Sequence, residues 1–226
     1  GSRLAACILA QEADVLSQLF HRNIVRIQGH GELHGGNAYL AMDYARGVEL
    51  ETWLEDHGPM PAERALGILS QLASALDYLH SRSFVHADLK PSHLIMDEAN
   101  GDALTLLDFG CAFDASDAFR SRDVGGTPGY MPPEQACGSR CTPAVDVYGT
   151  AALALEVLTG QLPHPHTTRS VNRAIITEPP ALPSARGLVR RGLDEAFARA
   201  LQRNPRARFA SASEFVSALR VAFANA

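Results

Sequence analysis

Lysine is nearly missing from this sequence. Of its 20 basic residues only Lys90 is a lysine, and every other one is an arginine. A site that needs two separate ammonium groups is therefore beyond this chain acting alone. Cysteine is scarce too: Cys7, Cys111, Cys137 and Cys141 are too few and too scattered for a disulfide framework, which suits a reduced compartment and a cytoplasmic location. Cys137 and Cys141 could form half of a metal site, but no second pair matches them, so they read as loop or packing thiols. No uninterrupted apolar stretch approaches the length of a membrane helix, and the start lacks the charged-then-apolar pattern of a secretory signal, so no membrane partner is expected. A basic run is also wanting. The net charge of −5, with signs mixed along the chain, argues against nucleic acid as a partner.

What is present is concentrated in one stretch, Phe84-Val85-His86-Ala87-Asp88-Leu89-Lys90-Pro91-Ser92-His93-Leu94-Ile95-Met96, followed shortly by Leu106-Leu107-Asp108-Phe109-Gly110. An apolar strand, a loop with Asp-x-Lys-Pro, a turn, a second apolar strand and Asp-Phe-Gly place two carboxylates and one ammonium at one cleft. Phosphoryl transfer needs those chemistries: an acid to orient a hydroxyl, an acid to hold a divalent cation, and a cation near the moving phosphoryl group.

The same stretch resembles the catalytic loop and metal-binding turn of the eukaryotic-type Ser/Thr protein kinases, His-Arg-Asp-Leu-Lys-Pro-x-Asn, then Asp-Phe-Gly, then a Pro-Glu motif. Here the residues are His-Ala-Asp-Leu-Lys-Pro-Ser-His, Asp108-Phe109-Gly110 and Pro133-Glu134, and the likeness runs from about Glu12 to the C-terminus. The resemblance implies an α+β, protein-kinase-like fold. Residues 1–45 would form a reduced small lobe of one helix and a β-hairpin, and residues 46–226 a mainly helical large lobe. It implies ATP with Mg²⁺ or Mn²⁺ as cofactors if the chain is active, and a protein substrate or partner. Asp88 would orient the substrate hydroxyl, Lys90 would offset charge on the phosphoryl group, and Thr127 would contact both. Asp108 would be the main metal ligand. His93 stands where the second ligand, asparagine, is expected, and imidazole suits a hard cation poorly. Met42, the backbone of Asp43 and Ala45, and Ile95 would line the adenine site. Met42 read without that resemblance is simply a core methionine.

Two departures bear on activity. No Gly-x-Gly-x-x-Gly and no lysine precede Glu12, so the carboxylate that the family pairs with a phosphate-anchoring lysine has no such partner. A solvated glutamate on a surface helix is the other reading of Glu12. Ala87 replaces the arginine that docks a phosphorylated activation segment, which makes control by phosphorylation of Ser116, Ser121 or Thr127 unexpected. The expectation is a catalytically impaired or inactive kinase-like binding domain, with an active Ser/Thr kinase as the alternative.

The rest of the chain fits that frame. Residues 4–20 carry apolar positions at helical spacing, with Glu12 and Asp14 expected on other faces. Ile24–Leu33 and Asn37–Tyr44 flank His34-Gly35-Gly36 as a hairpin, whose free edge invites a homodimer or strand complementation by a partner. Leu66, Leu69, Leu72, Leu76 and Leu79 mark a long helix after Pro61, and 143–159 is apolar nearly all round, as a central buried helix must be. Leu188–Gln202 and Ser211–Ala224 read as closing helices, the second with Ser211 and Glu214 at capping-box spacing. Glu134 with Arg208 resembles the family's buried ion pair.

Overall fold

Ser2–Ser17 is helical (α1) in the computed structural model, which describes residues 2–33, 37–116, 125–164 and 171–225. The expected turn at 34–36 and Ser121 lie outside the described residues. Ala13 and Leu16 are buried on α1, and Leu19 just beyond it. The helix stops early because its last turn tightens: the Gln18 N–H donates to Val15 O and the Leu19 N–H to Leu16 O, both at 3.1 Å. Glu12 is not on an outer face. It is 8% exposed, among Ala13, Val15 and Leu16, and is no solvated surface residue.

β1 (Ile27–Glu32) and β2 (Ala38–Met42) form the antiparallel hairpin, with Glu32 opposite Ala38 and Ile27 opposite Met42. It starts later than expected because residues 23–25 pair elsewhere. The Val25 N–H donates to Leu106 O at 3.0 Å, and the Leu106 N–H to Asn23 O at 2.8 Å. The buried Asn23 side chain seals this junction, donating to Leu104 O at 2.7 Å and Gln71 Oε1 at 3.0 Å. With α1 packed on it as well, the hairpin escapes the marginal stability of two strands alone.

β3 (Val48–Glu49) leads into α2 (Leu50–His57), and α3 (Ala62–Ser81) follows Pro61 with its leucine stripe buried. Four short strands then frame the site: β4 (Phe84–Val85), β5 (Leu94–Asp97), β6 (Ala103–Leu106) and β7 (Phe113–Asp114). β5 lies between β3 and β6, and β4 pairs with β7, all antiparallel. Because β4 precedes and β5 follows residues 86–93, while β6 precedes and β7 follows residues 107–112, the two pairings hold those loops side by side.

The helical remainder comprises α4 (Pro133–Ala136), α5 (Ala144–Thr159), α6 (Val171–Thr177), α7 (Leu193–Ala200) and α8 (Ala212–Ala224). α5 is buried without a break from Val145 to Leu155, and Gly160 ends it in the left-handed conformation at φ 72°. α7 begins later than expected, because Gly187 and Gly192 at φ 83° and 78° break the helical path and Asp194 takes the Ser184 N–H at 3.0 Å. At the start of α8, Ser211 Oγ accepts from the Glu214 N–H at 3.1 Å, but Glu214 reaches back to the Ala210 N–H, one residue further than a standard capping box. Phe197 and Phe215 meet edge to face at 5.4 Å between α7 and α8. The fold is α+β, with a reduced small lobe and a helical large lobe. No helix among the described residues is long and apolar enough to cross a membrane.

Candidate active site

Asp146, at the start of α5, shapes the loop that carries Asp88. Its Oδ2 accepts from the His86 N–H at 2.9 Å and its Oδ1 from the Ala87 N–H at 2.8 Å, while His80 Nε2 lies 2.7 Å from Oδ2. Burial alone would raise this carboxyl, yet these bonds, His80's foremost, hold it below the usual carboxylate range. The anchoring supports Ala87 in a left-handed conformation at φ 65°, which a residue with a Cβ adopts only when held there. His86 is fully buried, with Nε2 3.3 Å from Leu107 O and Nδ1 accepting from the Asp88 N–H at 3.3 Å. Those bonds suit a neutral ring, and burial keeps its pKa below the ordinary value. It is a packed structural histidine.

The chemistry-bearing side chains converge next to it. Thr127 Oγ1 donates to Asp88 Oδ1 at 2.6 Å, and Lys90 Nζ lies 3.8 Å from Asp88 Oδ2. Asp108, also left-handed at φ 56°, turns its carboxylate back so that Oδ1 accepts from the Gly110 N–H at 3.1 Å. His93 spans the two acids, its Nδ1 2.9 Å from the Asp88 carbonyl and its Nε2 3.1 Å from Asp108 Oδ2. Both ring nitrogens thus face oxygens that can only accept. The His93 bond is the main reason the Asp108 carboxyl sits well below the usual range, against the opposing effect of burial.

Glu12 reaches this site from α1. Its Oε1 accepts from the Phe109 N–H at 3.0 Å, and Gln11 beside it donates to Ala112 O at 2.7 Å. Burial, more than the nearby charge of Asp108, pushes the Glu12 carboxyl above its ordinary value. Phe109 is fully buried with its ring edge-on to His86 at 5.0 Å. The Asp108–Gly110 turn is thereby fastened to α1 through backbone groups.

Of the residues expected around an adenine ring, Met42 and Ile95 lie in different sheets. Met42 ends β2 and is 39% exposed, so it is no core methionine. The Asp43 N–H is committed to Arg26 O at 2.9 Å, which continues the β1–β2 ladder by one bond. Tyr44, beside Ala45, is 87% exposed. Ile95 is buried in β5, opposite Glu49 of β3.

Below the acids, the segment 125–136 is bound to the large lobe. Arg208 clasps Glu134 with two bonds, of 2.6 and 2.8 Å, and donates to Ala144 O at 2.8 Å with its ring neighbour Tyr148 5.0 Å away. Gln135 was not singled out by the sequence. It is buried, and its Nε2 donates to Ala87 O at 2.7 Å and also to Gly125 O.

A protein kinase domain model matches residues 5–215. The chain belongs to the Ser/Thr protein kinase family. The domain is 34% identical over 217 residues to serine/threonine-protein kinase PknD of Mycobacterium tuberculosis, covering 93% of this chain and 32% of that protein. It is 33% identical to serine/threonine-protein kinase PknF of the same species, covering 92% of this chain and 45% of the relative. Serine/threonine-protein kinase pkn3 of Myxococcus xanthus is 33% identical, with 93% of this chain and 41% of the relative covered. The chain thus spans 32–45% of the length of these three relatives.

Kinases of this family use ATP with a divalent cation, and the site fits that pair in part. Asp108 offers a half-exposed hard oxygen donor suited to Mg²⁺ or Mn²⁺. His93 has both nitrogens engaged by acceptor oxygens, so neither is open to a cation while those bonds stand. Among the described residues no group of three or more His, Cys, Asp or Glu side chains is arranged to hold a metal. A cation here would therefore depend on oxygens brought by the nucleotide.

Proposed function

We propose that this kinase domain, as the chain stands, binds protein partners and is impaired in phosphoryl transfer. One observation carries the reading: the Glu12 carboxylate accepts from the Phe109 N–H, and the sole lysine of the sequence, Lys90, is beside Asp88 rather than Glu12. Transfer in this family requires a lysine–glutamate pair on the nucleotide phosphates together with the metal-bound aspartate. The chain by itself supplies only the second. Bound ATP would contribute the transferable phosphoryl group and, with Mg²⁺ or Mn²⁺ on Asp108, an electrophilic phosphorus. Ile95, Met42 and the Asp43 and Ala45 backbone would hold the adenine. His93 would weaken or alter the second metal position.

A second reading, an active Ser/Thr kinase, draws support from the opposite side of the site. Asp88 is held where it could orient a hydroxyl, Lys90 is near enough to offset phosphoryl charge, and Thr127 links them to the segment a peptide would meet. Transfer of labelled phosphate from ATP to protein hydroxyls, measured with Mg²⁺ and with Mn²⁺, separates the two. Absence of transfer at any concentration supports the binding domain; transfer abolished by Asp88→Asn establishes the kinase.

The partner would be a protein rather than nucleic acid or a membrane, and a cytoplasmic setting suits a chain in which no disulfide joins the described cysteines. Among the described residues β2 is paired only with β1, and an open edge of this kind recruits strands. A homodimer or strand complementation at β2 follows from this, and light scattering that shows a monomer at every concentration, alone and with partner, would remove it.

A further inference from the structure

Gln135 holds together two segments that the family usually joins through a phosphate. Ala87 has no side chain able to reach a phosphorylated residue, yet its backbone is gripped on both sides: its N–H by Asp146 Oδ1 at 2.8 Å and its carbonyl by Gln135 Nε2 at 2.7 Å. The same amide nitrogen donates to Gly125 O, across the start of the segment that carries Thr127. A carboxamide has two N–H groups, and here two carbonyls take them, while Gln135 Oε1 is buried without a hydrogen-bond partner among the described residues. The neighbouring backbone is shaped around this group. Gly126 sits at φ 151°, and a Cβ on it would lie 2.4 Å from Gln135 Nε2 and 3.4 Å from Ala87 O. A side chain at position 126 would be strained by that φ and would displace the amide, whose two N–H groups match the two carbonyls.

We propose that Gln135 is a positioning residue that sets the Thr127 segment against the Asp88 loop without any phosphorylation. It acts through Ala87 and Gly125, and touches no reacting atom. This rests on reading residues 125–131 as the surface that meets a protein, but not on whether the domain turns over ATP.

The test is hydrogen exchange on the whole chain, with the Tyr130 and Met131 amides, both bonded to Thr127 O, as reporters. Gln135→Met keeps the length and removes both donors; Gly126→Ala leaves Gln135 intact and displaces its amide. Each variant is expected to exchange at Tyr130 and Met131 at least about tenfold faster than the parent, with α3 and α5 unchanged. Phosphatase treatment of the parent is expected to change nothing at those amides. Unchanged exchange in both variants, a uniform rise over the whole domain, or parent protection that vanishes on dephosphorylation would overturn the proposal. Detection of ATP turnover would end the impaired-transfer reading yet leave this result untouched.

Discussion

The two sides of the cleft are built to different standards. On the large-lobe side the loop at Asp88 is held at several points: Asp146, itself held by His80, takes the His86 and Ala87 N–H groups, Gln135 donates to the Ala87 carbonyl, His86 accepts from the Asp88 N–H and Thr127 donates to the Asp88 carboxylate. On the hairpin side, Met42 and Tyr44 are exposed, and the strand that carries Met42 has one neighbour. A loop held by buried, charge-assisted bonds keeps its geometry without a ligand, whereas a half-open strand does not exclude water from whatever binds there. The Asp88 loop is thus held more firmly than the strand that ends in Met42.

That contrast predicts unequal responses to mutation. The largest is expected at Arg208, whose side chain is fully buried and clasps Glu134. Arg208→Ala leaves a buried carboxylate unpaired and should lower unfolding free energy by about 3–5 kcal/mol, read from the urea midpoint at constant slope. A loss comparable to that of an exposed substitution would show that the large-lobe side is not rigidly held.

Acidification comes next. The folded-state pKa of His86 is below its ordinary value because of burial, so the unfolded chain binds the proton first. Its contribution is complete above about pH 6.5, the ordinary histidine value, and is lost as pH falls through the lower folded value. The lowered Asp146 carboxyl adds a second loss below about pH 4, where unfolded aspartate becomes protonated. Glu12 opposes both, since a raised carboxyl favours the folded state only below its ordinary range. Thermal melts should therefore shift downward from pH 7 to pH 5, and a flat profile would count against the buried neutral imidazole.

Glu12→Gln separates a structural role from a nucleotide role. The amide oxygen can still accept from the Phe109 N–H, so stability should fall by less than about 1 kcal/mol. With no lysine to pair with, any weak ATP binding of the parent should be no weaker in the variant. ATP binding measurable in the parent and removed by Glu12→Gln would mean that Glu12 works on phosphates. The smallest effect is expected on the open side, where Met42→Ala should alter stability by no more than about 0.5 kcal/mol because its side chain is already in contact with water.

Sequence order was a good guide where chemistry and periodicity coincide. The leucine stripe of α3 and the all-round apolar α5 were legible because each depends on residue type at a fixed spacing, whereas the Thr127–Asp88 contact was expected only through the family resemblance. Glu12 was misplaced on its helix, since a carboxylate next to apolar residues reads as exposed until its backbone partner, 97 positions away, is known. Gln135 left no signal at all. Its partners are backbone groups, which every residue possesses, so only three-dimensional proximity reveals them. The early stop of α1 and late start of α7 were likewise set by local turns rather than by pattern.

Calorimetric titration of the intact chain with ATP, in Mg²⁺ and separately in Mn²⁺, addresses the difference between the two sides most directly. With no lysine for Glu12 and an exposed hinge, the expected result is no saturable heat, or a Kd weaker than about 1 mM, with either cation. A micromolar Kd that Asp108→Asn abolishes would show that the open side forms a competent nucleotide site and would contradict the account.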